Sequence, residues 1–528
     1  TSNAARGTSA SIDYNETPTT VLVGFDYATV DIVASDDEWN SGEEIPVVIV
    51  DGDANKNSRA DEDLDLFDTN VQLIPSLSTG DPFTIGEAGL SAAEALFINY
   101  TDSFVDNNSD TLNFFAPGTI TNVTSSVTVE KFSERAILTQ TATAGGDAGV
   151  NATIIDFNTT FGELKNSISD TTDSTFHGFN FLNLDVRGIQ NTGNVDVYLL
   201  NSTTQIINST GKLDGSTTGA LLIADGVAPQ SLTSLESVND AIFGGTTTPD
   251  THQIGLLITF ISIAASGSAA GAIDANEAIV ADFFSFGFVN DGLVAGERIA
   301  NQIIRIEAEE SGDNTGSFEG TLEYIMINQL NILDVATYEG LSPIANDPNF
   351  IVIEDLTDED APRVNYNDKG ADGVTTQVAD QEEAPSHSGI VSFDADSYKN
   401  ADTVTITLED LDLNVDSDLI DIYTTITQPG TLFDVVGNNS TANKATGYNF
   451  EFSNGENLGR LLDITFDDAL WTSPIVGKTS TSAACKTSLE NAGVTDTGLG
   501  ATLFTLVETS KDSGVFIGDF QIPAAYCR

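Results

Sequence analysis

Two segments of this chain set an oxygen-bearing side chain at nearly every second position. The first is Asp51-Gly-Asp53-Ala-Asn55-Lys-Asn57, with Glu62 as the twelfth residue of the run. The second is Asp410-Leu-Asp412-Leu-Asn414-Val-Asp416-Ser-Asp418, with Asp421 at the same place. Such alternation suits Ca2+, which takes roughly six to eight hard oxygen ligands. The chemistry expected here is capture of calcium or another divalent cation, with no organic cofactor. The second run carries more carboxylates and is the better candidate. An EF-hand is not expected, because Lys56 and Val415 stand where its loop needs glycine, Arg59 replaces a ligand, and no helix flanks either run. The alternation equally suits a half-buried strand whose acids face water.

Other chemistry is sparse. Cys485 and Cys527 are the only cysteines, and outside a cell they would close a disulfide loop of 42 residues; the alternative is two buried thiols. His177, His252 and His387 are far apart, so zinc patterns are absent. Asn-x-Ser/Thr acceptors occur at Asn15, Asn99, Asn107, Asn122, Asn151, Asn158, Asn201, Asn208, Asn438 and Asn439. Those at Asn99, Asn107, Asn122, Asn151, Asn158, Asn201, Asn208 and Asn439 are taken as the glycosylation candidates, although an Asn- and Thr-rich chain produces such triplets by chance. No metalloprotease, nucleophile-elbow, phosphate-loop or dinucleotide motif is present, and with 80 acidic residues carboxylate pairs carry no information. The chain is therefore not expected to be an enzyme.

The elements that position the acidic runs are strands. Thr403-Val-Thr-Ile-Thr-Leu, Val195-Asp-Val-Tyr-Leu-Leu and Ile303-Ile-Arg-Ile-Glu-Ala alternate with period two between Gly, Asn and Asp clusters. Short helices are admitted at 89–98 and 231–243. The chain also resembles itself. Ser11-Ile-Asp-Tyr-Asn-Glu16 recurs as Arg363-Val-Asn-Tyr-Asn-Asp368, each followed by one acidic run. Glu310-Ser-Gly-Asp-Asn-Thr-Gly316-Ser-Phe318-Glu-Gly320 recurs as Glu508-Thr-Ser-Lys-Asp-Ser-Gly514-Val-Phe516-Ile-Gly518. Phe318 and Phe516 are expected to plug the cores, and Trp39 and Tyr398 to anchor packing. The spacing between blocks is 243 residues from Phe67 to Glu310 but 85 from Tyr423 to Glu508, so the first copy carries an insertion of domain size. The expected fold is all-β, with tandem immunoglobulin-like β-sandwich domains of which one carries a large inserted β-rich domain. Residues 1–84 begin unit 1, 85–245 form the sequon-rich insert, 246–361 complete unit 1, and 362–528 form unit 2. Unit 2 is expected to be incomplete at its C-terminus, as in an excerpt of a longer polypeptide.

The charge sets the partners. Eighty Asp and Glu against nineteen Lys and Arg give −61 at pH 7, a surface that repels nucleic acid. Such a surface keeps a protein soluble in salt, binds cations, or gathers them near itself. The longest uncharged stretch, 254–273, turns to Ser, Gly and Ala in its second half and reads as a buried strand and a loop, so no membrane span is expected in this segment. The first residues hold no apolar leader core, so any leader lies upstream or is removed.

Taken together, Asp-x-Asp-x-Asn before a strand, Glu-Thr-x-x-Asp-Ser-Gly-x-Phe-x-Gly at 508–518 and the Pro-Arg-Val-Asn-Tyr seam at 362–366 resemble surface-layer (S-layer) proteins of ammonia-oxidising archaea, the Nitrosopumilus-like thaumarchaea. The resemblance covers 9–80 and 300–528 and barely touches the insert. It implies an extracellular, N-glycosylated chain of immunoglobulin-like domains that tiles the cell surface with copies of itself as a porous lattice. It also implies that Asp410, Asp412, Asn414 and Asp416 lead the cation ligands. A polyanionic sheet would concentrate cations, ammonium included, over roughly 8 Å at physiological ionic strength. A modular adhesin or glycan-binding protein is the alternative, and a hydrolase with accessory sandwiches a third.

Overall fold

Val, Ile, Thr and Phe alternate with polar residues along most of the chain, and a pleated strand sends such neighbours to opposite faces. In the computed structural model they form an all-β protein of several antiparallel sheets, as expected. The structure describes residues 9–22, 26–34, 39, 42–71, 73–85, 94–98, 113–114, 123–130, 135–140, 152–168, 176–208, 218–235, 250–260, 276–289, 298–327, 336–353, 361–369, 374–382, 389–414, 420–424, 465–466, 469–470 and 505–522. Among them, α-helix is confined to Phe161–Ser167 and Ala336–Glu339. Where the two windows expected to hold short helices are described, at 94–98 and 231–235, they hold strand rather than helix. In the first, Glu94–Ile98 is fixed by pairing with 152–156; in the second, Gln230–Ser234 pairs with 181–185.

The two repeats fold alike. In unit 1 the strand Glu43–Val50 lies between Thr29–Ile32 and Ser317–Ile327, with Glu309–Glu310 beyond. In unit 2 the strand Thr403–Glu409 lies between Ile390–Phe393 and Val515–Gln521, with Thr505–Glu508 beyond. The registers coincide: Phe318 faces Ile49 where Phe516 faces Leu408, and both phenylalanines are fully buried. The alternation is visible in both, with Ile45, Val47 and Ile49 inward in one strand and Val404, Ile406 and Leu408 in the other. Trp39 packs edge-on to Tyr324 at 5.9 Å between ring centroids, whereas Tyr398 sits at the rim of the unit 2 core.

The intervening residues build further sheets. Phe176–Asp185 pairs with Asn276–Val289 along its whole length, and Gln253–Phe260 lies between Ala152–Thr160 and Val195–Ser202. Strand pairing thus carries the inserted sheets past residue 245 to 289, because the uncharged run that begins at Ile254 is a central strand flanked on both edges. The chain returns to unit 1 in Arg298–Ile306, which pairs with Ser76–Thr79.

That return is fastened by buried charge. Arg305 and Asp282, both fully buried, form an ion pair at 2.6 Å. Asp282 also accepts from Thr84 Oγ1 at 2.6 Å and Asn183 Nδ2 at 3.1 Å, so one carboxylate ties four strands. Arg135, equally buried, reaches from the insert to the carbonyls of Leu66 and Val71 in unit 1. Removing one partner of a buried pair strands the other charge, which costs about 3–5 kcal/mol. Arg305→Met is expected to destabilise the chain by that amount in denaturant unfolding, and Asp282→Asn/Arg305→Met is expected to cost less than the two single losses combined.

Candidate cation site in the acidic turn

Asp51 follows the last residue of strand Glu43–Val50, where the chain must turn. Its N–H donates to Gly316 O at 2.8 Å, continuing the sheet by one bond, while its Oδ1 accepts from the N–H of Asp53 at 2.8 Å and of Ala54 at 3.3 Å. The carboxylate thereby holds the turn that it begins. Asp51 Oδ2 accepts from the Tyr366 hydroxyl at 2.8 Å. Burial, and then the charge of Asp51, push the Tyr366 hydroxyl well above its ordinary range, so it stays a donor.

Tyr366 arrives on a hairpin, Arg363–Lys369 with Thr375–Gln381, which the repeat pattern places at the start of unit 2. The structure docks it on unit 1. Val364 and Tyr366 enter the unit 1 core, and the free edge of strand Thr29–Ile32 is met by the hairpin's carboxylates: Ala28 N–H donates to Asp368 Oδ2 at 3.1 Å and Ile32 N–H to Asp380 Oδ2 at 2.8 Å. This docking brings Asp51, Asp53 and Asp368 together, with one carboxylate oxygen of each within 4.8 Å of the others. Asp51 is 3% exposed and Asp368 fully buried. Two unit charges at that separation repel by roughly 3–4 kcal/mol at an effective dielectric of about 20, and a divalent cation among them reverses the sign. Beside Asp51 and Asp53 a cleft of about 80 Å³ has Glu62, Asp63 and Lys56 on its polar side and Leu64, Val71 and Leu73 on its apolar side. It suits an ion with a few waters; organic ligands need roughly 300 Å³ or more.

Of the five first-copy candidates, Asp51 and Asp53 therefore converge, and Asp368 joins them. Glu62 lines the cleft beside them without joining the trio, and Asn55 and Asn57 have other surroundings. The Asn55 amide donates to Glu310 Oε1 at 3.1 Å, Asn57 faces solvent, and Glu62 Oε2 accepts from Lys56 N–H at 3.1 Å. The reason lies in Glu310, which takes over the rest of the turn. Its Oε1 accepts from the N–H of Thr315 at 2.8 Å and Gly316 at 2.7 Å, and its Oε2 from Glu62 N–H at 3.2 Å. Burial pushes the Glu310 carboxyl up, but these donors outweigh it and hold the group below the ordinary carboxylate range.

The same clasp recurs in unit 2. Glu508 Oε1 accepts from Ser513 N–H at 2.8 Å and Gly514 N–H at 3.1 Å, and its Oε2 from Asp421 N–H at 3.1 Å. Asp410 N–H donates to Gly514 O at 2.7 Å, as Asp51 does to Gly316. Gly316 and Gly514 have φ of +62° and +56°, and a Cβ would come within 3.1 Å of Gly52 Cα and 2.7 Å of Leu411 Cδ2 respectively, so both turns require glycine. Asp421 thus fills the place of Glu62, a clasped turn residue. Asn414 is buried, and its amide donates to Asp512 Oδ1 at 3.1 Å. Asp416, Asp418 and the side chain of Asp412 lie outside the described residues.

Cys485, Cys527, Asn99, Asn107, Asn122, Asn151, Asn438 and Asn439 also lie outside them. Asn15 is exposed, and Asn158 and Asn208 are half-buried. Asn201 is buried in strand Val195–Ser202. No helix among the described residues is long and apolar enough to cross a membrane. Comparison with protein-family models and with curated proteins finds no match.

The acidity continues into the core edge. Burial, then the charges of Glu307, Asp63 and Asp68, push Asp65 up to about 6, although Arg187 opposes them. Because the folded value lies above the unfolded one of about 3.9, the folded chain holds this proton more tightly. The contribution is full at low pH, falls as pH rises from about 4 to 6, and is flat above. Asp65→Asn is therefore expected to raise Tm by a few degrees at pH 7 and to match the parent chain near pH 4, measured by calorimetry across that range.

Proposed function

We propose that this chain is a non-catalytic structural subunit of a porous, polyanionic cell-surface lattice, and that divalent cations bound at its acidic turns stabilise it. The observation that carries the reading is the trio of Asp51, Asp53 and Asp368. Two of its carboxylates come from unit 1 and the third from the hairpin that leads into unit 2, so a cation there would rivet successive units together. A net charge of −61 supports the same reading, because such a surface gathers small cations and keeps like-charged copies apart until cations bridge or screen them. Calcium is the cation that hard carboxylate ligands and a small cleft favour. Glycosylation of exposed sequons and an extracellular location belong to the same proposal. A sheet built this way would hold ammonium and other cations in its pores and turn anions away.

Two measurements test it. Calcium is expected to raise the Tm of the chain, by an amount that grows with ln(1 + [Ca2+]/Kd), and Asp51→Asn/Asp368→Asn is expected to abolish that rise. Negative-stain microscopy of the purified chain is expected to show two-dimensional arrays with calcium and their dispersal by a chelator. A chain that stays monomeric with calcium and instead binds glycans would overturn the lattice in favour of an adhesin.

A further inference from the structure

The edge strand of unit 1 is covered, and among the described residues its counterpart in unit 2 is not. The registers align Thr29–Ile32 with Ile390–Phe393, since Thr29 faces Val50 where Ile390 faces Glu409. The next bonds agree as well: Val33 N–H donates to Pro46 O and Asp394 N–H to Thr405 O. In unit 1 the hairpin 363–381 covers this strand, and Ile32 is 4% exposed. In unit 2 the matching Phe393 is 59% exposed and Val391 48% exposed. Among the described residues Ile390–Phe393 is the outer strand of its sheet, an edge with exposed apolar side chains.

The chain also carries a hairpin that pairs with no other strand among the described residues. Ser9–Tyr14 pairs with Thr17–Leu22 as a two-stranded sheet of its own, and its Ile12, Tyr14 and Val21 are exposed. Tyr14 is 84% exposed, whereas Tyr366, at the same place in the recurring motif, is 1% exposed. Thr17 faces Tyr14 where Val378 faces Tyr366, and each lies eleven residues before the matching residue of its unit, Ala28 or Gly389. The free hairpin differs in being shorter, with Glu16 in its turn and Thr19 in place of Asp380. Both still offer side-chain oxygens.

We infer that the hairpin 9–22 of one copy of this chain docks on strand Ile390–Phe393 of a second copy, as hairpin 363–381 docks on Thr29–Ile32 within the chain. Ile12 and Tyr14 then cover Phe393 and Val391. The Tyr14 hydroxyl donates to Asp410 as Tyr366 does to Asp51, and Glu16 and Thr19 accept from the outward N–H groups of Gly389 and Phe393. The contact is heterologous, donor at one end and acceptor at the other, so it propagates into open rows. It rests on the reading of the chain as an assembling subunit and names the surfaces that join.

Sedimentation of the full chain with calcium tests it through two variants at exposed positions, Ile12→Asp/Tyr14→Asp without a working donor and Val391→Asp/Phe393→Asp without a working acceptor. The parent chain is expected to form concentration-dependent species larger than dimers. Each variant alone is expected to remain monomeric, and their equimolar mixture to form dimers and nothing larger, which also shows that both are folded. A second pair, Val21→Asp and Ile390→Asp, is expected to behave alike. If the parent associates but both mixtures stay monomeric, the hairpin contact is wrong and the lattice reading stands. A parent chain that is monomeric throughout overturns both.

Discussion

The first unit depends on what becomes of two carboxylates taken out of water. A buried ionised group must be met by donors or by a cation, or its desolvation goes unreturned. Asp51 is met by two backbone N–H groups of its own turn and by the Tyr366 phenol, and Asp368 by the N–H of Ala28. The Tyr366–Asp51 and Ala28–Asp368 contacts join segments more than 300 residues apart, so satisfying the charges also fixes where the hairpin 363–381 must sit. The edge of the sheet is closed by the same act. A bare edge invites another strand to add to it. Here carboxylates occupy two of its N–H groups, which stops further backbone pairing at those points while leaving negative charge for a cation.

A second constraint explains why the two units share one turn. A strand that begins right after a left-handed glycine leaves N–H groups pointing into the bend with no carbonyl opposite. Six residues upstream of each glycine, Glu310 or Glu508 folds back and takes those N–H groups on a single oxygen, while its other oxygen holds the far end of the acidic turn. The spacing from the acid through Gly and Phe to the second Gly is thus the length needed for a carboxylate to return to its own strand and seat an aromatic ring in the core.

This geometry decides what a sequence reading could recover. Alternation in Thr403–Glu409 and the recurrence of the Gly-x-Phe-x-Gly block are local, so the strand class and the repeat were legible. The acids of the block were legible as markers of the repeat and not as clasps, because a clasp is a relation to backbone donors that carry no residue identity. The acidic run was half legible. Asp51 and Asp53 lie two apart and meet, but Asp368, 317 residues from Asp51, reaches them only through a hairpin packed on the preceding unit. Its Tyr-Asn-Asp motif was visible as a seam, which is where it stands in the chain and not where it works. The reach of the insert to Val289 was hidden for a related reason, since Asn276–Val289 gains its place by pairing with Phe176–Asp185, nearly a hundred residues away.

The charge balance then limits how such a chain can meet its own kind. With nineteen basic residues against eighty acidic ones, an interface built on salt bridges would exhaust its cations at once. The buried guanidiniums of Arg135 and Arg305 are already committed where the insert joins unit 1. What the protein has in excess is backbone N–H groups along sheet edges and carboxylates to accept from them. The docked hairpin shows these two used together: apolar Val364 and Tyr366 enter the core while Asp368 and Asp380 accept from backbone N–H groups at the strand edge. A contact of this kind needs no basic partner and grows stronger as water leaves it. Three of its carboxylates, Asp51, Asp53 and Asp368, gather at the acidic turn, where the proposed divalent ion would meet groups from both sides of the joint. Under the proposal above, a joint between units and a cation site would be one structure in such a polyanion.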